Sequence, residues 1–382
     1  MRTITAMIAA AAILAVASAC AAPTEPKTVA GSASNESIAI QGTHSDNTAN
    51  LAQGDGRLEQ IRRHGHVVCG TTNDVAGYGS LNNEGANDGF EIDLCRAVAV
   101  AVFGDPQAVE FRIIGSAAER GPSLASGEID ILAWVNTWST SRDATWGGNF
   151  VHTTLYDGQG FAVPAELGIE SAYDLRGASV CVAQGTTTEL NLEDFNREYQ
   201  LDMNVVTFET FEASIAAYVA GQCDAYTTDR TFLLGEIIAA GGAQDEHVVL
   251  PETISEEPIS LAVPHGDDQW FDIVKSVIGI LIYAEAYDIH SGNVPSAGTD
   301  NTSVDRLFGL EGSWGQESLG LTQTVAQDIV REVGNYGEVY ERHFGSGGLG
   351  VPRPPGSRNA LWADAPCQNC PKGGQIYAPP FR

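Results

Sequence analysis

Positive charge is scarce in this chain. Lysine occurs only at Lys27, Lys275 and Lys372, and 20 basic residues face 49 acidic ones, for a net charge of −29. A field of that sign repels phosphate backbones and anionic lipid headgroups, which argues against a nucleic-acid partner. There is no G-x-x-x-x-G-K-[ST] loop to cradle a nucleotide and no G-x-S-x-G nucleophile elbow. The eight histidines form no H-E-x-x-H or other ligand cluster. Gly345 to Gly350 spells G-x-G-x-x-G, but Pro352, Pro354 and Pro355 follow it where a dinucleotide site needs a helix, so it reads as a loop. Long apolar runs are lacking beyond the first twenty residues, since 271–289 is interrupted by Asp272, Lys275, Glu285 and Asp288. What remains is ordinary globular composition, 43% hydrophobic and 18% charged, over 382 residues. That is enough chain for two domains with a sizeable core.

The amino terminus has its own logic. Arg2 precedes an apolar run from Ile4 to Ala17 that is too short to span a bilayer but suits a signal-peptide core, so 1–19 is expected to be a signal peptide. Ala17-Ser18-Ala19-Cys20 fits ordinary cleavage and a bacterial lipobox alike, and both cut before Cys20. Residues 20–56 are rich in Ser, Thr, Asn, Gly and Gln and cannot bury enough surface to offset their ordering entropy, so they are expected to form a flexible tether. A tether beside a lipidated Cys20 would hold a domain clear of the membrane, and acyl chains there would meet the two-signal requirement for stable anchoring. Seven cysteines less Cys20 leave six, and an exported chain meets an oxidising compartment. Six allow fifteen pairings. The sequential set is Cys69–Cys95, Cys181–Cys223 and Cys367–Cys370, of which the first two would stabilise by about 3.5 and 4 kcal/mol on a loop-entropy model. Cys367 and Cys370 read as a local staple in a Pro-flanked loop, because no second pair has zinc-ligand spacing.

Beyond the tether, strand and helix signals alternate. Strands are expected at 66–70, 109–114 and 129–134, with helices at 91–103 and 116–126. A second set follows: strands 179–183, 204–208 and 224–227, helices 187–199 and 211–222. Such alternation indicates parallel α/β sheets, here in two lobes with crossings near Tyr156-Asp157 and near 255–258. The lobes are expected to comprise 57–157 with 256–382, and 158–255. Amphipathic helices at 267–286 and 324–332 and a Pro/Gly-rich tail from Gly345 extend the first lobe.

Ligands of open α/β sheets bind beyond the carboxyl ends of the strands. Those ends carry Gly70-Thr71-Thr72, residues 135–142 and 184–189, and Thr227-Thr228-Asp229, a hydroxyl-rich set with one guanidinium and one carboxylate. That set suits a zwitterion. Thr186 and Glu189 match a capping box, whose free N–H groups and helix dipole favour a carboxylate. Arg142 can offer a bidentate fork, or pair with neighbouring Asp143. Asp229 can hold a cation, or cap the next helix. Trp134 and Trp138 can line a pocket or fill a core.

Several segments together resemble a known family. Cys69-Gly70, Gly89 to Cys95, Ser126 to Asp130, Gly185-Thr186-Thr187 and Gly221 to Asp224 resemble polar amino-acid-binding proteins of ABC importers. Tyr156 to Phe161, Gly185 to Leu192, Asp267 to Lys275, Val333 to Glu338 and Asn359 to Trp362 resemble the general L-amino-acid-binding subgroup (solute-binding protein family 3), over about Leu58 to Arg382. The resemblance implies an α/β, two-lobed periplasmic-binding-protein fold of type II with two crossovers and a C-terminal helical extension. It implies a monomer without cofactor that closes on an L-amino acid and delivers it to an ABC permease and its ATPase subunits. Localisation is then periplasm or cell surface, touching the membrane only through a lipid anchor. By the same resemblance Arg142 holds the ligand carboxylate with the Thr187 N–H, Asp229 holds the ammonium, Thr137 adds a hydroxyl, and Val75 covers the side chain with Tyr78 close by. Trp134 and Val135 stand where the subgroup tends to be polar, and 363–371 looks inserted. The alternative from another class is an exported enzyme on the same fold, such as a cyclohexadienyl or arogenate-type dehydratase. It needs an acid or base at the pocket, for which Asp74 and Glu189 are the candidates.

Overall fold

Val67–Thr71 is buried at every position, the burial pattern of a strand covered on both faces. In a computed structural model, which describes residues 56–231, 233–364 and 373–382, this strand lies second in a five-stranded sheet. The order is Val109–Ile113, Val67–Thr71, Ile131–Ala133, Glu257–Pro264 and Gly148–Asp157. A second five-stranded sheet runs Asn204–Phe208, Ser179–Ala183, Ala225–Asp229, Gln159–Pro164 and His247–Val249. Cys20, Cys367, Cys370, residues 1–19 and all but the last residue of 20–56 lie outside the described residues.

Parallel sheets were expected, but each sheet is mixed. Its first three strands are parallel, the fourth runs against them, and the fifth, antiparallel to the fourth, runs with the first three. The two reversed strands, Glu257–Pro264 and Gln159–Pro164, are the ones that enter a sheet directly from the other lobe. Gly148–Asp157 leaves the first sheet and Gln159–Pro164 enters the second one residue later, while Glu257–Pro264 returns alongside, placing Glu257 opposite Asp157. Short reach forces this arrangement, because a strand that passes directly between lobes has no crossover helix to turn it parallel.

The helices cover these sheets. Phe90–Phe103 is buried nearly all round and stops at Gly104, whose φ of 71° suits a residue without Cβ. Asp268–Ala286 is capped by the Asp267 carboxylate, which accepts from the Trp270 N–H at 2.8 Å, and buried Trp270 in turn donates its Nε1–H to the Asp130 carbonyl. Val325–Glu332 and Tyr336–His343 pack against these two helices. Tyr336 donates its hydroxyl to the Thr154 carbonyl at 2.7 Å, and the Arg353 guanidinium pairs with Glu285 while lying over the rings of Tyr336 and Tyr340. At the chain's end, Phe381 is edge-on to Tyr283 and Trp314. Among the described residues no helix is long and apolar enough to cross a membrane.

Cys69 is joined to Cys95, strand to helix, and Cys181 to Cys223. Cys223 sits in the turn ahead of Ala225–Asp229, because the helix expected at 211–222 ends at Val219 and Gly221 takes a φ of 73°.

Candidate functional site between the two lobes

The first lobe's contribution follows strand Ile131–Ala133. The chain passes Trp134 and Val135, and Val135 adopts a φ of 48°, costly for a β-branched residue, by about 1–3 kcal/mol. Its N–H is held by buried Glu91, whose Oε2 accepts it at 2.8 Å. Ser139 caps the short helix Thr140–Thr145 by accepting from the Arg142 N–H. The Arg142 side chain is buried, donates to the Thr137 carbonyl at 3.0 Å, and lies 4.7 Å over the Trp146 ring. Asp143 is exposed, so the neighbouring-pair alternative is not what the structure shows.

The second lobe brings the amino end of helix Thr187–Tyr199. Thr186 caps it as expected, accepting from the Glu189 N–H at 3.1 Å. The capping box is incomplete, since the Glu189 carboxylate accepts from the Gly185 N–H at 2.6 Å instead of from Thr186. Asp229 was expected beyond its strand or as a helix cap. It is instead the last residue of Ala225–Asp229, because pairing with Gln159 carries the strand two residues further.

These pieces meet around one small cavity. Val75, Trp134, Val135, Thr137 and Arg142 line it from the first lobe, and Thr187, Phe211 and Asp229 from the second. The lobes touch here: the Thr137 and Thr187 hydroxyls are 3.3 Å apart, and the Trp134 and Phe211 rings 5.5 Å. Trp138 does not take part, and stacks on Phe150 with 39% of its surface exposed. Tyr78 does not line the cavity either. It is fully buried at the crossing, with its hydroxyl on Asp157 and Thr231. Neither Asp74 nor Glu189 lines it.

The electrostatics are set by burial. Burial pulls the Arg142 guanidinium down to about 10, against the pull of Glu257 and Asp229, so it stays charged at neutral pH. Burial raises Asp229 well above the usual carboxylate range, and Asp157, Glu257 and Glu236 add to the rise while Arg142 opposes it. Its Oδ1 has no hydrogen-bond partner among the described residues. A buried acceptor without a partner costs about 1–3 kcal/mol, and an ammonium group placed there would supply both the donor and the countercharge.

Three residues escaped the sequence reading. Glu91 and Glu257 are buried beside the cavity and carry no local signal. Arg120 also lines the cavity, 2% exposed, with its guanidinium 3.5 Å over the Trp134 ring. Its Nε and one terminal nitrogen have no hydrogen-bond partner among the described residues. Burial and the nearby Arg142 lower its pKa, with Glu91, Asp229 and Asp74 opposing. One clue was available: Arg120 stands four residues before Leu124, the large apolar residue that marks the buried face of helix Ala117–Ala125.

Residues 67–290 match the bacterial extracellular solute-binding proteins, family 3. The chain is 43% identical to the "General L-amino acid-binding periplasmic protein AapJ" of Rhizobium johnstonii over 85% of this chain and 92% of that one. It is 39% identical to the "Glutamate/glutamine/aspartate/asparagine-binding protein BztA" of Rhodobacter capsulatus, over 85% and 93%. A solved periplasmic binding protein of an ABC transporter from Brucella ovis, with glutathione bound, superposes with a TM-score of 0.78 at 41% identity, covering 85% of this chain and 99% of that one. The two mixed sheets joined by paired crossing strands are the two-lobed architecture of type II periplasmic binding proteins, and the chain belongs to the bacterial extracellular solute-binding proteins of family 3.

Proposed function

We propose that this exported protein captures an L-α-amino acid between its lobes, 57–157 with 256–382 on one side and 158–255 on the other, and delivers it to an ABC permease. The carrying observation is the opposed pair in one cavity: Arg142 from the first lobe, and Asp229 with an unpartnered Oδ1 from the second. The ligand carboxylate lies on the Arg142 fork and the Thr187 N–H at the helix terminus, Thr137 adds its hydroxyl, and the ammonium lies on Asp229. The side chain runs between Val75 and Trp134 towards Arg120. Two buried guanidiniums in one cavity call for two anionic groups, so the reading favours acidic amino acids; the names of two similar relatives support amino acids in general, and the second includes glutamate and aspartate beside their amides. No cofactor is needed. The permease partner's ATPase supplies the energy, and the binding protein works as a monomer tethered through a lipid on Cys20.

Because the contacts are divided between lobes, they exist together only when the lobes are closed, and the ligand selects that state. Titration calorimetry tests this reading. Removing one partner of a buried charge pair costs about 3–5 kcal/mol, or about two to three and a half decades of affinity. Asp229→Asn, which barely changes volume, should lose nearly as much as Arg142→Ala. Binding by Asp229→Asn within about threefold of the parent would mean that the ammonium is held elsewhere.

A further inference from the structure

The two crossing strands carry more than the chain from lobe to lobe. Each brings one buried carboxylate to the crossing, and the two residues stand opposite each other in the antiparallel register, Glu257 against Asp157. Each carboxylate has partners in both lobes. Glu257 Oε2 accepts from the Thr137 hydroxyl of the first lobe at 2.5 Å and from the Thr187 hydroxyl of the second at 3.2 Å. Its Oε1 accepts from the Asn191 amide at 2.7 Å and from the Ser255 hydroxyl. Thr187 and Asn191 are one helical turn apart on one face of Thr187–Tyr199, so a single carboxylate takes hold of that helix at two points. Asp157 repeats the pattern with Tyr78 of the first lobe and the hydroxyl and N–H of Thr231 of the second.

We propose that Glu257 is a positioning residue for closure: it acts through Thr137, Thr187 and Asn191, drawing the amino end of the second lobe's helix onto the first lobe and so setting the closed geometry in which an amino acid is held. Asp157 plays the matching part on the other strand. The chemistry favours this role. A carboxylate that accepts four hydrogen bonds is fully satisfied only while both lobes are against it, because opening strips away Thr187 and Asn191 together. Closure is then favoured by the hinge itself, and the apparent affinity rises with the fraction of molecules already competent to bind. Glu257 also lies close enough to Arg142 to raise its pKa, so the opposite role is physically definite too: a carboxylate that competes with the ligand for Arg142. The two roles predict opposite signs.

Glu257→Gln keeps the side-chain volume and removes the charge. A second variant, Thr187→Val with Asn191→Ala, removes the helix's two contacts with the clasp while leaving Glu257 and the Thr187 N–H in place. Positioning predicts that both variants keep a melting transition near the parent's and bind the amino acid about tenfold more weakly, the scale of one charge-assisted hydrogen bond. It also predicts that combining them adds little further loss. Small-angle X-ray scattering without added amino acid should give a larger radius of gyration for both than for the parent. Tighter binding by Glu257→Gln would establish the competing role and overturn the proposal, as would unchanged scattering in both variants. The proposal builds on the amino-acid reading, but the scattering comparison needs no ligand, so its failure and the failure of that reading are distinguishable.

Discussion

Arg120 is the residue whose removal separates binding from folding most cleanly. In the structure it is a buried guanidinium with two nitrogens that find no hydrogen-bond partner among the described residues, stacked at 3.5 Å on Trp134 and close to a second guanidinium. Arg120→Met keeps most of the length and the contact with the indole. It removes about 2 kcal/mol of cation–π attraction and relieves about 1–3 kcal/mol for each unpartnered donor, so the free protein should melt at the parent's temperature or above it. Acidic ligands should show the reverse. Losing one partner of a desolvated charge pair costs about 2–5 kcal/mol, a fall of about thirtyfold to several thousandfold in affinity for L-glutamate. L-Glutamine, which offers no second charge, should lose much less. Calorimetric titration with both amino acids, beside a melting curve, reads both signs in one set of samples. An equal loss for glutamate and glutamine, or a lower melting temperature with affinity unchanged, would refute the reasoning by making Arg120 a structural residue.

Other outcomes follow from the same geometry. Burial lifts the Glu91 carboxyl from 4.5 to about 8, with the Val135 N–H and Arg120 opposing. A folded pKa above the unfolded one gives stability that is complete below about 4.5 and is lost as pH rises through about 8. Glu91→Gln, which can still accept from Val135, should therefore gain on the parent in melting temperature at pH 9 relative to pH 5, and parallel curves would contradict this. The Cys181–Cys223 bond closes a sequence separation of 42 residues, so the double serine variant should lose about 4 kcal/mol in denaturant unfolding on the loop-entropy model. A midpoint unchanged from the parent would show the pair to be unbonded. Intact mass of protein from membrane fractions should give a chain that starts at acylated Cys20; an unmodified Cys20 in a detergent-free soluble fraction would reject the anchor.

Much of the second lobe was legible because its elements are short and cleanly punctuated. Ser179–Ala183, Thr187–Tyr199 and Asn204–Phe208 fall at the expected bounds, where Gly185, a Thr cap and polar turns interrupt runs of one periodicity. The crossing strands were not legible as strands. Gly148–Asp157 and Glu257–Pro264 alternate weakly and draw their order from pairing with each other across a hundred residues, which local pattern cannot reveal. In the site, Arg142, Thr187 and Asp229 stood out by position at strand ends, Val75 was named by the family resemblance alone, and the four do meet at one cavity. Arg120, Glu91 and Glu257 did not stand out, because a charged residue in a helix or strand normally reads as surface, and only tertiary burial makes it otherwise. Tyr78 was named close to Val75 through the resemblance, yet its ring packs edge-on to Phe344 and its hydroxyl lies on Asp157.

The central claim is that one amino acid sits between Arg142 and Asp229. Native mass spectrometry of the purified, unfolded-and-refolded protein in an equimolar mixture of the common L-amino acids tests it most directly. The account predicts a single adduct per chain with the mass of an acidic amino acid, absent from both Arg142→Ala and Asp229→Asn. A spectrum with no amino-acid adduct, or an adduct that both variants retain, would contradict it.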